Sequence, residues 1–177
     1  MEVILLKSPS EADWMECKRR ALVTMGKEAK IPPSLEWKRK ILKSRHSPIR
    51  YLQFSFYLKG IPSWVSVHLV RHVHAQPYVK SQRNDRQKEY DRNAARQDAP
   101  VDMIFDMNAE EFMTICNKRL CMKAAKETRM VVQMMCDLVG KQNFEFLPFM
   151  VPNCGYLKDC PEFESYQMRS RYVNYAK

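Results

Sequence analysis

Glycine is scarce in this chain of 177 residues. Only four occur, and no two of them stand close together: Gly26, Gly60, Gly140 and Gly155. A phosphate-binding P-loop and a dinucleotide-binding βαβ motif both need closely spaced glycines, so the sequence excludes both. Any phosphate that binds here must be held by side chains.

Long apolar runs and disulfide-type cysteine patterns are also missing. No run approaches the roughly 18 apolar residues of a membrane-spanning helix. The first seven residues contain only four consecutive apolar residues after an acid, so we expect no signal peptide. Six dispersed cysteines predict reduced thiols in a cytoplasmic protein. A zinc site at Cys154 and Cys160, with Cys116 and Cys121, stays open, although the spacing is loose and favours unligated thiols.

The composition is that of a folded protein with a basic surface. Hydrophobic residues make up 45% of the chain and charged residues 28%, which favours one domain spanning residues 1–177. Lysine and arginine number 30 against 20 acids, so the formal net charge is +10. Such a charge attracts nucleic acid, acidic lipid or phosphorylated small molecules.

Periodicity and capping residues predict an α+β fold with a mixed or antiparallel sheet packed against several helices. Residues 80–96 are nearly all polar and are expected at the surface or along a cleft. Gly60 is expected to end the second strand. The predicted strands are residues 3–6, 51–58 and 100–105, and the predicted helices are residues 10–25, 34–43, 63–72 and 108–139, the last being two helices or one bent helix.

The densest group of chemically versatile residues lies between positions 71 and 83. It contains two arginines, two histidines and a serine: Arg71, His72, His74, Ser81 and Arg83. The guanidinium group is a permanently charged planar fork of donors that matches a phosphate. The spacing alone is equally consistent with surface salt bridges to nearby acids. Those acids are Asp85, Asp91 and Glu127.

This pattern resembles the signature of the flavin-dependent thymidylate synthases. In that family an Arg-His-Arg triplet precedes a serine by seven residues, and an arginine follows two positions later; here Arg71-His72 precedes Ser81 and Arg83. The resemblance covers about residues 20 to 135 in the same order. Its other matching segments are Ser47-Pro48, Phe54-Ser55-Phe56, Ala95-Arg96 before Pro100, Asn108-Ala109, Arg119-Leu120 and Glu127.

The resemblance implies an enzyme that converts dUMP to dTMP. The methylene group would come from methylenetetrahydrofolate and the hydride from reduced FAD, which NADPH normally recharges. The resemblance also implies a homotetramer whose sites lie between subunits. It implies no resident metal.

The resemblance further implies a role for each matching residue. The nucleotide, chiefly its phosphate, would be held by Ser81, Arg83 and Arg96. The flavin site would be lined by Ser47, His72 and Asn108, with Arg71 between flavin and nucleotide. Arg119 would lie over the uracil as the catalytic residue and stabilise negative charge on the ring.

Five positions depart from the family pattern. Val73 stands for the third residue of the triplet, Val79 for an acid, Glu110 for an arginine, Thr114 for an asparagine and His68 for a glutamine. Two alternatives therefore stay open. One is an enzyme on the same scaffold that methylates or hydroxymethylates a different pyrimidine nucleotide. The other is a basic nucleic-acid-binding protein.

Overall fold

The computed structural model describes residues 1–87 and 90–162. Four strands are present: β1 (Glu2–Lys7), β2 (Gln53–Pro62), β3 (Gln76–Val79) and β4 (Pro100–Asn108). Six α-helices accompany them: α1 (Glu11–Val23), α2 (Leu35–Lys43), α3 (Ser63–Leu69), α4 (Ala109–Arg119), α5 (Lys126–Gln142) and α6 (Asn153–Leu157). Two 3-10 helices span Ser47–Tyr51 and Phe144–Phe149.

The strands form one sheet in the order β1-β2-β4-β3, and every neighbouring pair is antiparallel. The alternation in β2 decides which face is buried, because successive side chains point to opposite faces. Phe54, Phe56 and Leu58 are buried, while Gln53, the first residue of the strand, is exposed. The expected α+β architecture is confirmed, and the sheet is antiparallel throughout.

Aromatic side chains from separate elements join the helices to this sheet. The Phe54 ring lies 4.8 Å from that of Phe112 in α4 and 5.2 Å from that of Phe146. Trp14 of α1 contacts Phe146 and donates its indole N–H to Glu145 at 2.6 Å. α1, β2, α4 and the second 3-10 helix therefore share one core.

The helix starts follow the predicted caps. The Ser10 hydroxyl accepts from the Asp13 amide, and the Ser34 hydroxyl accepts from the Trp37 amide. Asn108 caps α4 in the same way. A capping oxygen satisfies a backbone N–H that the first helical turn leaves unpaired.

Three predicted boundaries were wrong. Gly60 does not end β2; it forms a bulge with φ of +59°, and its amide donates to Asp102 at 2.9 Å, so the strand continues to Pro62. β4 likewise runs past Phe105. α3 ends at Leu69 rather than at residue 72, and Val67 and Val70 are exposed. β3 was not predicted, because its four residues show little alternation in hydrophobicity.

The cysteines are unpaired thiols, as expected. Cys116 lies 3.5 Å from Cys136, which was not among the possible zinc ligands, in the buried contact of α4 with α5. Within residues 1–87 and 90–162 no group of histidine, cysteine and acidic side chains is arranged to hold a metal. Burial raises the pKa of Cys17 to about 12, so its thiol stays protonated. No helix in the described part of the chain is long and apolar enough to cross a membrane.

Candidate active site

The start of α4 is fixed directly by the sheet. β4 runs into the helix without a loop, and the Asn108 side chain accepts from the Glu111 amide at 2.9 Å. The Ala109 amide donates to the Leu52 carbonyl at 2.8 Å. The first turn of α4 therefore has little freedom, and its side chains are presented at set positions.

A chain of hydrogen bonds connects the two ends of α4. Arg119 donates through Nε to His72 Nε2 at 3.0 Å, and His72 Nδ1 lies 3.2 Å from Glu111 Oε1. Arg119 Nη2 also donates to the His68 carbonyl at 2.7 Å. His72 and Glu111 are buried, with 8% and 5% of their surfaces exposed. The sequence placed Arg119 and His72 in one site, and the structure brings them into contact.

Two arginines carry the positive charge of this site. Desolvation, followed by repulsion from nearby Arg71, lowers the pKa of Arg119. Arg71 is exposed and has no ion-pair partner among residues 1–87 and 90–162. The carboxylate connected to Arg119 is Glu111, and an imidazole ring separates the two. Neighbouring cations without a direct counter-ion attract an anion or an electron-rich group.

The pKa of His68 is affected by the same two arginines. Desolvation, then repulsion from Arg119 and Arg71, lowers its pKa. We predict that Arg119→Met raises the pKa of His68 toward its ordinary value, because removing a neighbouring cation favours the protonated ring. An NMR pH titration of the histidine ring protons measures the shift. Arg83→Met is the control, and a His68 titration that is equal in the wild type and in Arg119→Met would contradict this electrostatic description.

A cavity of about 310 Å³ opens beside the start of α4. Arg50 donates through Nε to Glu110 Oε2 at 2.5 Å at its wall. Behind the wall, Arg45 donates to the Thr114 hydroxyl at 3.2 Å. The cavity is lined by Arg50, His74, Asn108, Glu110, Glu111 and Thr114. Its volume is in the range of small-molecule and cofactor sites.

The lining residues decide which kind of ligand this cavity fits. Glu110 already binds Arg50, and Glu111 adds a second carboxylate, so the wall repels a diphosphate. The Asn108 oxygen caps the helix, and its carboxamide nitrogen has no hydrogen-bond acceptor within residues 1–87 and 90–162. Donors and acceptors together match the edge of an uncharged heterocycle. The cavity therefore fits an uncharged ring better than a diphosphate.

The residues next to Arg83 and Arg96 in sequence both contact the start of α3. Gln82 donates to the Ser63 hydroxyl at 3.4 Å, and the Trp64 amide donates to Gln97 at 3.3 Å, so both arginine segments reach the start of α3. Arg71 and His72 follow its end. Since α3 has seven residues, the two groups are separated by about 10 Å of helix.

Both of these arginines pair with an acid two positions later. Arg83 binds Asp85 at 2.7 Å and Arg96 binds Asp98 at 2.9 Å, all with exposed side chains. The Ser81 hydroxyl accepts from the Arg83 amide at 3.3 Å. Exposed pairs of this kind are worth only about 0 to 1 kcal/mol, so a phosphate can compete for the guanidinium groups.

The remaining expected site residues are spread around these groups. Ser47 is exposed at the start of the first 3-10 helix, and Asn108 reaches the cavity. Tyr78 of β3 is 61% exposed. Sequence reasoning missed two residues as members of the site, Glu111 in the first turn of α4 and Arg50, which carried no local signal. The contacts that implicate both are made across more than 35 residues of sequence.

The fold is similar to that of three solved structures, each at 16% sequence identity. Two are thymidylate synthase X from Helicobacter pylori with FAD and dUMP. Their TM-scores are 0.68 and 0.65, and the alignments cover 85% and 82% of this chain and 99% and 98% of theirs. The third is the UMP/dUMP methylase PolB from Streptomyces cacaoi bound with 5-Br dUMP, with a TM-score of 0.65 and coverage of 85% of this chain and 96% of that one.

No protein-family model and no curated protein matches the sequence. The three structural similarities cover most of each chain. Because the sequence identity is low, they show a shared backbone fold. They agree with the family that the motifs between residues 20 and 135 indicated. The chain therefore has the fold of the flavin-dependent thymidylate synthases.

Proposed function

We propose that this protein methylates a pyrimidine nucleotide, converting dUMP to dTMP with methylenetetrahydrofolate and reduced FAD. The observation that carries the proposal is the arginine pair, Arg71 and Arg119, with Arg119 held by buried His72. An oriented guanidinium beside a second cation suits a uracil ring that gains negative charge as it becomes a nucleophile. The similarity to structures that contain dUMP or 5-Br dUMP supports the same substrate class.

The nucleotide phosphate is assigned to the exposed arginines near the start of α3. Arg83 and Arg96 supply the charge and Ser81 a hydroxyl donor. On binding, a dianionic phosphate displaces Asp85 and Asp98 from weak surface pairs. Arg119 then polarises the base.

FAD supplies the hydride when it is bound. His72 orients Arg119 by accepting its Nε–H at Nε2, while Asn108 faces the cavity that fits an uncharged ring. Arg71 lies on the exposed side, where it remains available to either ligand. NADPH as the reductant and methylenetetrahydrofolate as the carbon donor belong to the proposal, and the free thiols support a cytoplasmic setting.

A homotetramer with sites between subunits is part of the same proposal. Val67, Val70 and Val73 leave an apolar strip exposed next to Arg71. Contiguous exposed apolar surface beside a site is typical of an interface. A second chain on this strip would enclose the arginine pair and exclude water from it.

A second candidate function has one specific observation in its favour. One similar structure is a UMP/dUMP methylase, so the same fold is compatible with a ribonucleotide. Under this alternative the chain methylates UMP or another pyrimidine monophosphate. Incubation with each nucleotide in turn, followed by mass spectrometry of the nucleotide, distinguishes the candidates.

We predict that pyrimidine monophosphates stabilise the fold. A ligand at 100 times its Kd that binds only the folded state adds about 2.7 kcal/mol, or a Tm increase of roughly 5 to 10 °C for a chain of this size. Thermal unfolding with millimolar dUMP, dTMP, UMP and dCMP measures it. Inorganic phosphate controls for the phosphate group alone, and Arg83→Gln/Arg96→Gln controls for the two arginines assigned to the phosphate. An unchanged Tm with all four nucleotides would exclude a nucleotide site.

The nucleic-acid-binding alternative predicts different properties. Such a protein would purify without flavin colour, and its DNA affinity would fall steeply with salt because phosphate contacts release counter-ions. The enzyme would instead acquire a flavin spectrum when FAD is added. The salt dependence of DNA affinity and the flavin spectrum can both be measured on the wild type, and together they distinguish a nucleic-acid-binding protein from the enzyme.

A further inference from the structure

The contacts of His72 determine which of its ring nitrogens carries the proton. A guanidinium group has donors and no acceptor, so Arg119 Nε–H must donate to a lone pair on His72 Nε2. The neutral ring then carries its proton on Nδ1, which lies 3.2 Å from Glu111 Oε1. Both contacts are satisfied together by this one tautomer.

We propose that Glu111 is a positioning residue for Arg119, acting through the tautomer of His72. Glu111 accepts the Nδ1 proton, so Nε2 remains an acceptor and the Arg119 guanidinium is held in one orientation. The consequence for turnover rests on the proposed function, whereas the tautomer of His72 does not.

The burial of Glu111 argues that this contact is specific. With 5% of its surface exposed, the carboxylate is removed from water, and a buried acid needs a hydrogen-bonded partner. Among residues 1–87 and 90–162, His72 is the only side chain to which the Glu111 carboxylate is hydrogen-bonded. Loss of Glu111 therefore leaves the ring of His72 without the acceptor that selects its tautomer.

The contacts of Arg119 show what the orientation achieves. Nε is bound to His72 and Nη2 to the His68 carbonyl, which fixes the plane of the guanidinium at two points. Nη1 has no hydrogen-bond partner in the part of the chain that the structure describes. A preorganised free donor beside Arg71 is suited to charge that develops on a bound ring.

The preceding residue supplies a matched control. Glu110 lies in the same helical turn as Glu111 and also lines the cavity, but it binds Arg50. Substitution of Glu110, like that of Glu111, removes one carboxylate from the first turn of α4. It leaves both ring nitrogens of His72 with their partners.

The test is an NMR measurement of the His72 tautomer in the ligand-free full chain. Long-range correlations between ring protons and ring nitrogens, recorded on ¹⁵N-histidine protein at alkaline pH, show which nitrogen is protonated. We expect the proton on Nδ1 in the wild type and in Glu110→Leu. We expect the same in Glu111→Gln, because the carboxamide oxygen can accept, and a mixture of both tautomers in Glu111→Leu.

Turnover gives the second measurement. Glu111→Leu should lower kcat on the order of 100-fold while the nucleotide Kd changes less than about threefold, since a misdirected donor costs transition-state stabilisation. Glu111→Gln should recover at least about tenfold of that loss, because it restores the acceptor.

Three results would overturn the inference. The first is a wild-type ring with its proton on Nε2, which needs no variant and remains decisive even if Glu111→Leu does not fold. The second is a wild-type spectrum in folded Glu111→Leu, which would show that Arg119 alone selects the tautomer. The third is a Glu111→Gln variant that recovers none of the turnover lost in Glu111→Leu. If the spectra are as predicted but the protein turns over no nucleotide, the positioning contact is supported and the proposed function is overturned.

Discussion

Arg119→Lys should lower turnover on the order of 100- to 1,000-fold, the usual cost of losing one preorganised donor to developing charge. Lysine keeps the charge, but its ammonium is a compact point charge on a flexible stem. It cannot bind the His72 ring and the His68 carbonyl and still present a directed donor, as the Arg119 fork does. Nucleotide and flavin affinity should remain close to wild type. Single-turnover oxidation of reduced flavin, with dUMP and methylenetetrahydrofolate present, measures the rate.

Lys118 provides the control for general anion attraction. It precedes Arg119 and is exposed, so Lys118→Gln removes a charge from the region without touching the fork. Turnover in Lys118→Gln should stay within about twofold of wild type, as is usual for surface substitutions away from such a feature. A wild-type rate in Arg119→Lys would remove Arg119 from the mechanism.

The second large effect concerns retention of the flavin. Val73 and Glu110 replace two arginines of the family pattern, and the wall around Glu110 repels a diphosphate. We expect the wild type to bind FAD more weakly than family members with the full triplet. We expect Val73→Arg/Glu110→Arg to tighten FAD binding at least about tenfold, since a charged hydrogen bond contributes about 1.5 to 3 kcal/mol. Titration of FAD into the apoprotein, followed by flavin fluorescence, gives the Kd.

Two controls test whether the gain in FAD affinity comes from the diphosphate. Riboflavin has the same ring system without phosphate, so its Kd should change less than about twofold in the double variant. Arg50→Glu/Glu110→Arg exchanges the partners of the observed pair and keeps the net charge. The FAD affinity of this exchanged variant should increase less than that of Val73→Arg/Glu110→Arg, which adds cations. An unchanged FAD affinity in Val73→Arg/Glu110→Arg, or an equal gain for riboflavin, would contradict the role assigned to these positions.

Most of the fold could be predicted because its signals are local. Alternation in Phe54, Phe56 and Leu58 defines the buried face of β2, and a capping serine or asparagine precedes three of the helices. β3 was missed because it is held by pairing with β4 rather than by its own pattern. Gly60 was misjudged because a left-handed glycine is compatible both with the end of a strand and with a bulge inside one.

The candidate site could be predicted only in part. Ordered motifs identified Arg71, His72 and Arg119 as members of one site, and the structure places them together. Glu111 could not be distinguished from an ordinary first-turn acid, since its burial depends on a residue 39 positions earlier. Arg50 is likewise defined by a contact across 60 residues. Charge pairs of this kind are set by tertiary structure, which periodicity does not encode.

The most direct test of the proposed function follows the transferred carbon. dUMP is incubated with the protein, reduced FAD and methylenetetrahydrofolate whose methylene carbon is isotope-labelled, and the nucleotide is analysed by mass spectrometry. The proposal predicts labelled dTMP, formed together with oxidised flavin and absent when dUMP or the folate is omitted. Folded protein that binds both dUMP and FAD yet leaves the nucleotide unlabelled would contradict the proposed reaction.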